Sequence, residues 1–130
     1  MEEITQIPSI YCALLVFCSD LTATKELEVV LSQCLGHPIH SSIGSDGNAS
    51  FDLVETGYVQ SWELNDVLDI LFLKIDGKIE AIKQVIQKYT CKAYVDIAFH
   101  QYGTYPALNF YGEVMKKIIF LEAEIGIDPY

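Results

Sequence analysis

Apolar positions along the chain repeat with two different periods, and the change from one to the other marks the elements. Tyr11 to Ser19 (YCALLVFCS) is aromatic and β-branched with apolar residues on both phases, which predicts a central strand buried on both sides. Cys12 and Cys18 lie an even number apart in it and share one face. Asp20 and Thr22 then offer caps for a helix whose apolar residues are Leu27, Val30, Leu31, Cys34 and Leu35, one face at helical spacing. Gly36 stands where a left-handed cap is wanted, and Pro38 prevents continuation.

Residues 39–50 (IHSSIGSDGNAS) are rich in Ser, Gly, Asn and Asp, and predict a loop or wide turn. Phe51–Val54 and Tyr58–Glu63 flank Glu55-Thr56-Gly57, a hairpin pattern. Asn65 is placed to cap a helix lined by Leu68, Leu71, Phe72 and Ile75; Asp76-Gly77 interrupts it. Ile79, Ile82, Val85, Ile86 and Tyr89 resume the stripe, giving two consecutive helices or one kinked at Gly77. Ala93 to Phe99 alternates cleanly. Ala93, Val95, Ile97 and Phe99 face one way, and Tyr94, Asp96, Ala98 and His100 the other, wetter way. Gln101 to Ala107 reads as a turn. Asn109 is placed to cap a helix carrying Val114, Met115, Ile118, Ile119 and Leu121, and Glu124 to Tyr130 closes as a strand. The irregular alternation and the hairpin predict an α+β fold: a mostly antiparallel sheet with helices packed on one face.

Composition narrows the function classes. With 130 residues the chain is expected to form a single domain, residues 1–130. Eight Lys and no Arg face eighteen Asp and Glu, a net charge of −10. Nucleic-acid binding rests on cations displacing condensed counterions, so no nucleic-acid partner is expected. The same balance argues against an anionic membrane surface. The longest apolar run, Ile10–Cys18, has nine residues, well short of the roughly 20 needed for a spanning helix. Met1-Glu2-Glu3 is acidic where a secretory signal is basic, and the four cysteines read as unpaired buried thiols, so the expected compartment is the cytoplasm.

Trp62-Glu63-Leu64, the helix pair from Asn65 to Tyr89, the strand Tyr94-Val95-Asp96-Ile97 and the ending Leu121–Tyr130 together resemble a bacterial family, domain of unknown function 4279. The likeness covers residues 9–130. Leu108-Asn109 stands where the family usually has Leu-Ser, and Pro129 interrupts its closing Ile-Asp-x-Tyr strand. The resemblance implies a fold and a bacterial origin, not a reaction.

Four constellations could carry chemistry. Cys34, His37 and His40 offer zinc-type ligands, with Asp46 as a possible fourth, but Cys34 lies on the apolar helix stripe and no second Cys/His cluster exists; no metal and no cofactor is expected. His100 could pair with Cys91, Cys12 or Cys18 only through the fold, and a reactive thiol wants an electropositive setting that this chain lacks. Asp96 and Asp128 project from strands on the wetter face with Tyr94, His100 and Tyr130, an alternative ligand or catalytic face that competes with a plain solvated surface. Between Lys25 and Lys74 stand eight acids and no Lys or Arg.

That last stretch is the strongest hint, because a one-sign field speeds association with a basic partner. The function expected is therefore a non-enzymatic acidic binding module, in its fullest form an immunity protein that occludes the active site of a basic bacterial toxin such as a nuclease. The expected contact residues are Asp46, Asp52, Glu55, Trp62, Glu63, Asp66 and Asp69. The alternative is a small-molecule or enzymatic role for the open sheet face through Tyr94, Asp96, His100 and Asp128.

Overall fold

A computed structural model describes residues 6–100 and 105–130. Five strands form one sheet in the order β2-β3-β1-β4-β5: β1 (Ser9–Cys18), β2 (Ser41–Ile43), β3 (Ala49–Gln60), β4 (Lys92–His100) and β5 (Glu124–Pro129). All neighbouring pairs are antiparallel except β4 with β5. Four helices, α1 (Thr24–Leu35), α2 (Leu64–Leu73), α3 (Ile79–Lys88) and α4 (Gly112–Leu121), make a second layer on one side. The chain is an α+β fold, as the hydrophobic pattern predicts.

The core lies between the layers. Ile10, Cys12, Leu14, Val16 and Cys18 of β1 point into it with Phe51, Leu53, Val95, Ile97 and Phe99, against Leu27, Leu31, Leu68, Leu71, Phe72 and Ile82 of the helices. Strand β1 is central, yet its other phase (Tyr11, Leu15, Phe17) is only half-buried, so the sheet has one covered face and one open face. Helix α1 ends on Gly36 in the left-handed conformation, with φ 78°. From the α2–α3 turn Lys78 Nζ donates to the Leu35 carbonyl at 2.6 Å, satisfying an end-of-helix acceptor.

Several local expectations are corrected. The Glu55-Thr56-Gly57 turn does not exist: β3 runs straight through it, and the hairpin lies one segment earlier, between β2 and β3 in residues that read as loop. Gly57 takes φ 70°, but it serves a bulge rather than a turn. The register on β1 slips there from Tyr11↔Tyr58 to Ala13↔Glu55. The Thr56 hydroxyl fills the gap, with Oγ1 accepting the Cys12 amide at 3.0 Å. Asn65 and Asn109 cap nothing at the positions assigned to them. Helix α2 starts at Leu64, and α4 follows Tyr111 with no side-chain cap. Asn65 is instead 3% exposed, and its Oδ1 accepts the Tyr111 amide at 3.0 Å, tying the start of α4 to α2. Asp20 caps a short 3-10 turn through the Thr22 amide, not α1 itself. Met115 and Ile119 are exposed, because the buried face of α4 is Val114, Ile118 and Leu121. Most of the turn expected at Gln101–Ala107 lies outside the described residues.

Candidate functional site: the open sheet face

Strand order decides which side chains meet on the uncovered face. Reading across β3, β1, β4 and β5, one row is Asp52, Leu15, Tyr94 and Glu124. The next is Glu55, Ala13, Asp96 and Gly126, and the third is Tyr58, Tyr11, Ala98 and Asp128. His100 follows opposite Ser9. Small residues occupy the middle, with aromatic rings and carboxylates around them.

The rings are in contact. Tyr58 packs on Tyr11 with centroids 5.6 Å apart and on His100 at 4.9 Å, and His100 packs on Tyr130 at 5.7 Å. The belt shields Ala13 and Ala98, although Tyr58 and Tyr130 remain 55% and 64% exposed. Tyr94 meets Phe17 edge-on and lies across Gly126, where an added Cβ would collide with its hydroxyl. Glycine permits that close approach.

The carboxylates are poorly compensated. Tyr11 donates its hydroxyl to Glu55 Oε2 at 2.7 Å. Burial, that bond and the charges of Glu55, Asp52 and Asp96 push the Tyr11 phenol above its ordinary value. Burial and the charges of Asp128 and Asp52 likewise hold the Asp96 carboxyl above the usual range. Among the described residues Asp52, Glu55, Asp96 and Asp128 have no ion-pair partner; Lys92 at the rim pairs with Glu124 at 3.1 Å. A depression of about 320 Å³ opens beside the β3 irregularity, lined by Tyr11, Ala13, His37, Asp52 and Glu55 among others. Unpaired anions beside exposed aromatic faces, Asp96 half-buried and Asp52, Glu55 and Asp128 exposed, suit a cation, which gains from both charge and ring.

All four residues of the alternative face, Tyr94, Asp96, His100 and Asp128, lie here. The seven expected contact residues divide among three places. Asp52 and Glu55 join the open face. Glu63, Asp66 and Asp69 surround Tyr111 at the α2–α4 edge, where Tyr111 donates to Glu63 Oε2 at 3.4 Å and their charges raise its phenol, Glu63 most. Trp62 leads into that edge, its backbone bonded to Ala107, and Asp46 sits at the β2–β3 turn holding Asn48. Tyr11 and Phe17 escape the sequence reading because β1 looks apolar on both phases; the Tyr-Ala-Leu-Phe alternation at 11, 13, 15 and 17 was the available signal.

The other constellations do not assemble. His37 Nε2 lies 3.0 Å from the Leu53 carbonyl, and among the described residues no three His, Cys, Asp or Glu side chains group so as to hold a metal ion. His100 is on the open face while Cys12 is in the core, and Cys18 and Cys91 are at the opposite end of their strands. No helix is long and apolar enough to cross a membrane among the described residues.

These features define a class: a small α+β protein with a helix layer on one side of the sheet and, among the described residues, an aromatic, acidic and uncovered face on the other. The family model for the Domain of unknown function (DUF4279) matches residues 13–130, and the chain belongs to that family. No curated protein and no solved structure matches it.

Proposed function

We propose that the chain is a non-enzymatic binding module that docks a basic protein on its open sheet face. The observation that carries this reading is the set of four unpaired carboxylates, Asp52, Glu55, Asp96 and Asp128, ringed by Tyr11, Tyr58, His100 and Tyr130. Tyrosines are frequent interface anchors, and complementary charge gives fast capture and specificity. Its physiological form is a cytoplasmic immunity protein whose acidic face covers the cationic active site of a toxin. Asp46, Trp62, Glu63, Asp66 and Asp69 fall at the rim or off this surface and contribute less than the sequence-based expectation assigned them.

The test places a photo-crosslinking residue at Tyr58, captures the partner in the source cells and measures association with the purified pair. Asp52→Asn, Glu55→Gln, Asp96→Asn and Asp128→Asn combined should slow association by about tenfold or more at low salt and flatten its salt dependence. Neutralising Glu63, Asp66 and Asp69 should change it little. The reverse pattern, or an unchanged rate in both, overturns the proposal. The 320 Å³ depression supports one second reading, a small cationic ligand. A thermal-shift screen of organic cations on wild type and Asp52→Asn tests it, since a ligand at 100 times its dissociation constant adds about 2.7 kcal/mol.

A further inference from the structure

The far end of the two central strands holds a pair of thiols that the binding face does not use. β1 and β4 pair without interruption as far as Phe17 opposite Lys92, and the next residues beyond that last pair are Cys18, ending β1, and Cys91, just before β4. Both sulfurs reach one acceptor: Cys91 Sγ lies 3.7 Å and Cys18 Sγ 3.9 Å from the Tyr89 carbonyl, and Cys18 Sγ also lies 3.7 Å from the Asp20 carbonyl. Opposed residues of antiparallel strands have Cα atoms roughly 4.5–5.5 Å apart, inside the roughly 4.4–6.8 Å that a disulfide spans. Neither Cys12, in the middle of β1, nor Cys34, on α1, has a cysteine opposite it.

Access is unequal. Cys18 is 2% exposed, whereas Cys91 is half-buried and lines a small cleft of about 80 Å³ with Ile86, Lys92, Leu121 and Glu122. A reagent reaches Cys91 first and Cys18 only through it.

We propose that Cys18 and Cys91 form a reversible disulfide when the protein meets a low-molecular-weight disulfide such as oxidised glutathione. The Cys91 thiolate attacks one sulfur of the reagent, whose S–S bond breaks and whose departing thiolate takes up the Cys91 proton. Cys18, losing its proton in turn, attacks the Cys91 sulfur of the mixed disulfide and expels the second small thiol. Two protein thiols are oxidised and one small disulfide is reduced to two thiols. Burial and the hydrogen-bonded Cys18 thiol push the Cys91 thiol up to about 12, which makes exchange slow. The same poor stabilisation of the thiolate favours the oxidised pair once formed. The bond staples β1 to β4 and narrows the unfolded ensemble across most of the chain.

The experiment incubates the full native chain with oxidised glutathione at mildly alkaline pH. Free thiols should fall from four to two, the intact mass should drop by two hydrogens, and a non-reducing digest should join the Cys18 and Cys91 peptides. The melting temperature should rise on the order of 10 °C and return when dithiothreitol is added. Cys91→Ser should abolish all of this, and a Cys12→Ser, Cys34→Ser double variant should oxidise like wild type. A lasting glutathione adduct at Cys91 without the second step, a bridge through Cys12 or Cys34, or four surviving thiols overturns the proposal.

Discussion

Replacing Asp96 by Asn should stabilise the protein at neutral pH while weakening the proposed docking. Asp96 is the carboxylate at the middle of the open face, one row from Asp128 on the adjacent strand β5 and one row from Asp52 on β3, the far side of β1. It is partly dehydrated and faces two like charges, so its ionised form is disfavoured in the folded chain and its carboxyl titrates above the ordinary value near 3.8. The folded state therefore binds this proton more tightly than the unfolded one. The sign follows: the favourable contribution is complete below the unfolded value, and it is lost as pH rises through the folded value. Asparagine keeps the shape and removes the charge. Like-charge neighbours on a sheet cost a few tenths to about 1 kcal/mol each, discounted here for solvent screening. The net gain at pH 7 is about 0.5–1.5 kcal/mol, or roughly 2–6 °C in melting temperature. Thermal or urea unfolding of both proteins from acid to neutral pH is the assay. The difference should shrink toward zero in acid, where Asp96 is protonated anyway. A destabilised Asp96→Asn at pH 7, or a difference that persists unchanged in acid, would refute the reasoning.

Three further substitutions probe what holds the face in shape. Thr56→Val leaves the Cys12 amide without its acceptor and should cost about 1–2 kcal/mol in urea unfolding, whereas Thr56→Ser should cost under about 0.5; equal losses would show that the hydroxyl is not the bridge. Asn65→Ala removes the buried link to the Tyr111 amide and should cost about 1–3 kcal/mol, with faster hydrogen exchange at that amide specifically. Gly126→Ala should swing Tyr94 off the sheet, altering the near-ultraviolet dichroism of the Phe17–Tyr94 pair at a stability cost under about 1 kcal/mol, because the colliding atom ends a mobile side chain; an unchanged spectrum would contradict the packing of Tyr94 on Gly126.

The helices were legible because their stripes repeat at 3.6 residues and each needs only its own segment to be recognised. Leu27, Leu31 and Leu35, or Ile82, Val85 and Ile86, are buried as their spacing demands. Their starts were not, since Asn65 and Asn109 look like caps from composition, while the choice of partner depends on a tertiary neighbour, Tyr111 for Asn65. Strand β3 is ambiguous in the sequence for a related reason. Gly57 in the left-handed region serves a turn or a bulge equally well, and only the pairing with β1 selects the bulge. On β4, strict alternation put Tyr94, Asp96 and His100 on one face, and the sheet keeps them there. That Asp52 and Glu55 stand in the same rows could not be read locally: it follows from β1 lying between β3 and β4, a long-range fact.

The placement of charge changes what the acidity means. Along the sequence, the imbalance belongs to residues 26–73, which hold eight acids and no Lys or Arg. In space the stretch divides: Glu26, Glu28, Asp66 and Asp69 ride on α1 and α2, without an ion pair among the described residues but in the layer that also carries seven of the eight lysines at or beside the ends and faces of α1–α4. Only Lys92 belongs to a strand, and it is engaged with Glu124. The open face gathers Asp52 and Glu55 from inside the stretch with Asp96 and Asp128 from outside it, and these four keep their charge uncompensated. A field confined to one side of a small molecule orients an approaching cation as well as attracting it. Steering of that kind requires the four carboxylates to act together, so single neutralisations should slow the proposed capture in small, similar steps, and neutralising Glu63, Asp66 or Asp69 instead should slow it less.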